Sequence, residues 1–218
     1  IRDLMNFIKY YLEGNTLHRC ALATGMDYKC TAVNWASYIR ELFCHYVHQQ
    51  YQMIYFMGDV EIDKSLFGRK MKYKRGNPRG LKLGFFGIIE RESNIIILYL
   101  VDNCDANTLI PIIQRHVSPG SRIFSDSWAA YLQLNSLGYE HYSVCHKTNF
   151  NKKYKNVETG EIINCCTNQI EGVWKICKDH FRKINGTNTK MFEQHVAEII
   201  YEEIIPINKI FMWHFLIF

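Results

Sequence analysis

The sequence predicts a mixed α/β fold, a five-stranded sheet flanked by helices, behind a helical N-terminal segment. Three observations carry that expectation. Apolar residues recur at helical spacing up to about residue 50, then switch to alternation or short continuous runs. After residue 54 the order reads strand, strand, strand, helix, strand, helix, strand, which requires parallel pairing once the first helix has intervened. Of the 218 residues, 48 % are hydrophobic and 14 % aromatic, enough for a sizeable core and too many for wholesale disorder. Four prolines and no low-complexity run exclude collagen-like, mucin-like and proline-rich linker classes.

Residues 1–53 form the helical segment. Leu4, Ile8, Tyr11 and Leu12 mark a first helix. Residues 16–24 read as a short helix, Gly25 to Asp27 as a turn, and residues 28–46 as a longer helix. Val33, Trp35, Ala36, Ile39, Leu42 and Phe43 are its apolar stripe. This outline is that of a helix-turn-helix, and it serves an ordinary helical hairpin equally well.

Residues 54–205 form the sheet domain. In residues 58–63, Val60 and Ile62 face one way and Asp59, Glu61 and Asp63 the other, as on an edge-type strand that Asp63 ends. Residues 83–89 and 94–101 are two apolar strands joined by a hairpin turn at 90–93. Asp105 can cap a helix carrying Leu109, Ile112, Ile113 and Val117. Pro119 and Gly120 turn the chain into a strand at 121–125, with Asp126 just beyond it. A helix over 128–137, stopped by Gly138, precedes a fifth strand at 139–144. Residues 146–167 lack periodicity and read as a long loop, a feature usually functional or mobile. Helices over 168–184 and 190–205 close the domain. The tail, 206–218, has no assigned role. The nine residues from Ile210, almost wholly apolar, fall far short of the ~20 needed to span a bilayer, so no membrane partner is expected.

The eight cysteines include no C-x-x-C pair, so reduced thiols rather than a disulfide framework are expected. Cys165, Cys166, Cys177 and His180 match no familiar zinc spacing. No signal-peptide pattern opens the chain.

Three carboxylates draw attention in chain order. Asp63 and Asp126 sit at strand ends, where an Asp often serves only as a helix cap. Glu171 lies on the helix after the long loop. There Ile170, Val173, Trp174, Cys177, Phe181 and Ile184 form the buried stripe, opposite Asn168, Glu171, Lys175, Lys178 and Arg182. A solvated face with Glu171–Lys175 and Glu171–Lys178 pairs explains that pattern. So does a site for hard divalent cations, since Mg²⁺ prefers carboxylate oxygens. Two such ions about 4 Å apart can clamp both oxygens of a phosphodiester displacement.

The residues also carry a resemblance. Val60, Glu61, Ile62 and Asp63, then Ser65 to Gly68, the basic stretch through Arg75 and Gly76, and Gly87 to Arg91 resemble the core of the IS1595/ISXO2-like DDE transposases. Merlin transposons are the eukaryotic relatives of that group. The match continues through Thr108 to Ile113, Ser125 and Asp126 with Ala130 and Tyr131, Gly138 and Tyr139, His146 with Asn149 and Phe150, and Glu158 to Gly160. It ends with Thr167 to Trp174, Lys178, and Ala197 with Glu198. Lys64 stands where the family usually has Glu, residues 51–57 replace a glycine-rich lead-in, and Cys165 and Cys166 replace a common Gly/Ala-His pair.

The resemblance implies an RNase H-like fold and a triad of Asp63, Asp126 and Glu171 holding two Mg²⁺ or Mn²⁺ ions. It implies strand cleavage at transposon ends, then strand transfer into target DNA. Asn168 is a supporting candidate because some relatives use Asn as third member. Lys178 matches a lysine expected to contact DNA backbone, and Lys175 shares its face. His146 is a further supporting residue, for DNA or the periphery of the metal site. The partners implied are double-stranded terminal inverted repeats, target DNA and further copies of the chain. The compartment is the nucleus in a eukaryotic host and the cytoplasm or nucleoid in a bacterial one. A non-catalytic DNA-binding protein derived from a decayed or domesticated transposase is the alternative.

The net charge of +5 hides an asymmetry. Arg69, Lys70, Lys72, Lys74, Arg75, Arg79 and Lys82 occupy fourteen residues without one acid, leaving −2 for the rest. Such a block repels itself unless an anion offsets it, so phosphate contact is the expected role. Lys147, Lys152, Lys153 and Lys155 make a second basic patch.

Overall fold

The computed structural model describes residues 1–67, 83–144, 151–155 and 160–201. The predicted DNA contacts from Arg69 to Lys82, His146, and the apolar tail lie outside the described residues. The chain forms two compact units, residues 53–179 and residues 1–52 with those from 180 onward.

In the helical unit, α1 (Arg2–Leu12), α2 (Leu17–Thr24) and α3 (Val33–Met53) are joined by short turns. Thr16 caps α2 by accepting from the Arg19 backbone N–H, and Gly25 ends it with φ of 67°, the left-handed region that glycine enters freely. Asp27 then accepts from the Cys30 N–H at 2.7 Å. Here α3 is entered through a π-helical turn, Tyr28–Ala32, rather than the regular helix expected from residue 28. A later helix, α6 (Thr189–Ile199), belongs to this unit. Its buried Glu198 accepts from the Tyr11 hydroxyl, and Arg40 donates to Tyr11 at 3.0 Å. Burial opposes ionisation of Glu198, but His195, Tyr11 and Arg40 together hold its carboxyl below the usual value.

The other unit is built on a five-stranded sheet. Its strands are β1 (Val60–Phe67), β2 (Leu83–Glu90), β3 (Ile96–Val101), β4 (Arg122–Asp126) and β5 (Glu140–Val144), in spatial order β3-β2-β1-β4-β5. The first three are antiparallel, and β4 and β5 join in parallel. Between β3 and β4 runs α4 (Ala106–His116), capped as expected by Asp105, which accepts from the Thr108 N–H at 2.9 Å. This is the RNase H-like arrangement that the resemblance implies.

Four expectations need correction. β1 is the central strand, not an edge, and it runs on to Phe67, so Asp63 lies within it rather than at its end. Asp126 is the last residue of β4 rather than just past it. The helix expected over 128–137 is instead two 3₁₀ turns, Ala129–Tyr131 and Asn135–Leu137. Tyr131 and Leu134 are fully buried and nothing caps the first turn, so tertiary packing replaces a helix too short to hold itself. Finally, the long loop contains a hairpin of β6 (Lys152–Lys155) and β7 (Ile162–Cys165). Its four-residue strands are too short to show a period, yet Ile163 and Cys165 pack with Tyr154 against Phe124, Tyr142 and Val144.

Candidate carboxylate site

The site is organised by the helix that follows the hairpin, α5 (Asn168–Lys183). Its residues Ile170, Val173, Trp174 and Cys177 are buried, as the spacing predicts. Gly87 lets the helix approach: a Cβ there would meet Ile170 and Leu98 at 2.9 Å and the Trp174 ring at 3.0 Å. Gly87 is the cross-strand partner of Asp63, so the close approach falls directly beside that carboxylate.

Two carboxylates of β1 lie under α5. Glu61 is almost fully buried, and its Oε2 accepts from the Gln169 and Ile170 backbone N–H groups at 3.0 and 3.2 Å. These are orphan donors of the first helical turn, where a negative charge is favoured. Its Oε1 accepts from Arg91 Nε at 3.0 Å. The Arg91 guanidinium lies 3.5 Å from the Phe124 ring centre and donates to the Asn164 and Cys166 carbonyls. One ion pair thus joins β1, the β2–β3 turn, β7 and α5. Burial raises the Glu61 carboxyl despite those donors.

Two residues on, Asp63 Oδ2 accepts from the Trp174 indole at 3.0 Å. The parallel register of β1 and β4 reaches Ile62–Ser125, so Asp63 and Asp126 are the next residues on adjacent strands. Burial, with the Asp126 charge adding to it, pushes the Asp63 carboxyl up to about 6, against the Lys64 backbone N–H and the indole. Asp126 caps no helix. Its Oδ2 lies 3.3 Å from Lys64 Nζ, and its buried Oδ1 has no hydrogen-bond partner among the described residues. Beside them Tyr131 is fully buried, and burial plus the two Asp charges raise its phenol well above the ordinary value. It cannot serve readily as a nucleophile.

Glu171 is the third predicted member, and the structure does not close the triad. Its side chain is exposed, and Oε1 accepts from Thr167 Oγ1 at 3.1 Å. The three acids do not gather their oxygens into one cluster; among the described residues, the metal-type group within 4.8 Å is His180, His195 and Glu198. In that group Glu198 already engages Tyr11 and His195, and no cysteine takes part. Glu171 nonetheless stands one helical turn before Trp174, whose indole ties α5 to Asp63. Asn168 and Lys175 are exposed on the same helix, and Lys178 reaches to 5.7 Å from the Phe67 ring centre. Lys152, Lys153 and Lys155 are exposed on β6.

Sequence reasoning missed Glu61, Arg91 and the Lys64–Asp126 contact. Alternation puts Glu61 on the face of Asp63, but its partners lie 30 and more than 100 residues away. A divalent cation suits the Asp63–Asp126 pair. Both offer oxygen ligands, and Asp126 Oδ1 is a buried acceptor with no hydrogen-bond partner among the described residues.

A curated "Uncharacterized transposase-like protein" of Haemophilus influenzae (strain ATCC 51907 / DSM 11121 / KW20 / Rd) is 28 % identical over 99 residues, 45 % of this chain and 72 % of that one. Among solved structures, the HTLV-2 integrase catalytic core domain in complex with magnesium aligns with a TM-score of 0.40 at 12 % identity, covering 66 % of this chain and 84 % of that one. A simian T-cell lymphotropic virus intasome in complex with PP2A regulatory subunit B56 gamma aligns with a TM-score of 0.39 at 13 % identity, covering 89 % and 67 %. Residues 56–203 match the ISXO2-like transposase domain, and the chain belongs to that family.

Proposed function

We propose that this protein is a metal-dependent transposase that cleaves DNA at transposon ends and joins the freed 3′-hydroxyl to target DNA. The observation that carries the reading is the Asp63–Asp126 pair, two acids side by side on adjacent parallel strands, one of whose buried oxygens has no hydrogen-bond partner among the described residues. Asp63, Asp126 and Glu171 would hold two Mg²⁺ or Mn²⁺ ions, which supply Lewis-acid stabilisation of the phosphodiester and an activated oxygen nucleophile. Trp174 orients Asp63 through its indole N–H. Asp63, pushed up to about 6, is already largely ionised at neutral pH and so can act as an oxygen ligand there. Glu171, which accepts from Thr167, would have to turn toward the pair to complete the set. Tyr131 packs rather than attacks, so no covalent protein–DNA intermediate forms.

Lys175, Lys178 and the β6 lysines supply phosphate contacts in addition to those expected of the sequence block from Arg69 to Lys82. Asn168 and His146 support the site, and the α2–turn–α3 segment adds double-stranded DNA binding. The working form is an oligomer on DNA.

The test uses a labelled transposon-end duplex and Mg²⁺, with wild type beside Asp126→Asn. Cleavage by the wild type alone is the expected outcome. Retarded gel mobility with no cleavage by either protein would leave a DNA-binding protein in place of an enzyme.

A further inference from the structure

The strongest positive charge at the carboxylate pair belongs to the chain itself. Lys64 follows Asp63 on β1, and β4 stops at Asp126 while β1 continues to Phe67. Past the end of β4, the Lys64 side chain closes over Asp126, with Nζ 3.3 Å from Oδ2. The same ammonium lies 3.5 Å from the centre of the Trp128 ring and 5.8 Å from that of Tyr131. Trp128 is itself fixed, donating Nε1–H to the Cys104 carbonyl at 2.9 Å. Only 18 % of the Lys64 side chain is exposed. A carboxylate and an indole face are two elements that hold cations well, and here both hold the ammonium.

We propose that Lys64 is a built-in counter-cation of the Asp63–Asp126 pair, which a divalent ion must displace from Asp126 before the site loads. The inference rests on the reading of that pair as a metal site. Its physical basis is competition. Asp126 Oδ2 cannot serve an ammonium and a divalent ion together without repulsion. In a partly buried setting one adjacent like charge changes affinity by on the order of tenfold or more. The Trp128 face is a second holding contact for the ammonium, beside the Asp126 carboxylate. Loading is thereby tied to departure of Lys64 from Asp126. The displaced ammonium is then free to meet a phosphate.

Metal binding, rather than catalysis, tests this. Mn²⁺ binding to the full chain is followed by loss of the free-ion electron paramagnetic resonance signal, with circular dichroism confirming that each variant is folded. Lys64→Met keeps a stem over Trp128 and removes the charge, and Lys64→Arg keeps the charge. Lys64→Met should bind Mn²⁺ roughly tenfold or more tightly than wild type. Lys64→Arg should stay near wild type, and Asp126→Asn should abolish the gain in the Lys64→Met background. Equal affinities for wild type and Lys64→Met, with Asp126→Asn still weaker, would overturn the role of Lys64 and leave the metal site standing. A gain in Lys64→Arg equal to that in Lys64→Met would overturn it too, since shape rather than charge would then be responsible. Binding that ignores Asp126 in every background would overturn the metal reading and the inference with it.

Discussion

Glu61 and Asp63 stand two residues apart on one face of one strand, under one helix, and the structure treats them in opposite ways. Glu61 has a full set of partners: a guanidinium on one oxygen and two helix N-terminal N–H groups on the other. Asp63 has an indole and a backbone N–H, and faces a second acid whose Oδ1 has no hydrogen-bond partner among the described residues. A carboxylate whose lone pairs are all engaged contributes to architecture. A pair of carboxylates that shares one ammonium, that of Lys64, is still short of positive charge, costs stability and attracts an incoming cation that can displace the lysine.

The largest effect that can test this contrast is at the satisfied end. Arg91→Met leaves Glu61 buried without its counter-ion and should cost about 3–5 kcal/mol in chemical denaturation. A loss below about 1 kcal/mol would show the pair to be peripheral.

Asp63→Asn should act with the opposite sign. In the folded chain the Asp63 carboxyl titrates near 6, above the ~3.9 of an unfolded chain. Its contribution to stability is therefore fully present below pH ~3.9 and lost as pH rises through about 6. The amide carries no such loss. In metal-free buffer the variant should exceed wild type by about 2–3 kcal/mol above pH ~7, and the two should converge below pH ~4. Equal stabilities across that range would remove the claim that Asp63 is held at a cost.

Smallest is Trp174→Phe, which keeps an aromatic ring at the same place on α5 and deletes the donor to Asp63. About 1 kcal/mol of stability should be lost near pH 7.5. The Asp63 titration, followed by carboxyl NMR shifts, should move further up. An unmoved titration would show that the indole orients nothing.

The strands, α4 with its Asp105 cap and the buried stripe of α5 were legible because each is written in a local period or a local hydrogen bond. The hairpin of β6 and β7 was not, because four residues do not establish a period. The 3₁₀ turns after β4 look helical by composition, but Tyr131 and Leu134 must both reach the core within a crossover of some thirteen residues. Polar alternation in β1 suggested an edge strand. That inference failed because a buried acid can be matched by partners distant in sequence.

By itself, then, the sequence determined the order of the five sheet strands and of α4 and α5 among them, the family to which the chain belongs, and the acids that could form a site. Composition, spacing and motif order are properties of the chain alone. Tertiary structure alone decided that β1 is central, that Glu61 is structural, and that Lys64 rests on Asp126 across 62 positions. It also left Glu171 at Thr167 rather than beside the two aspartates. Those outcomes depend on which long-range partner meets which charge, and electrostatics acts through space, without regard to position along the chain.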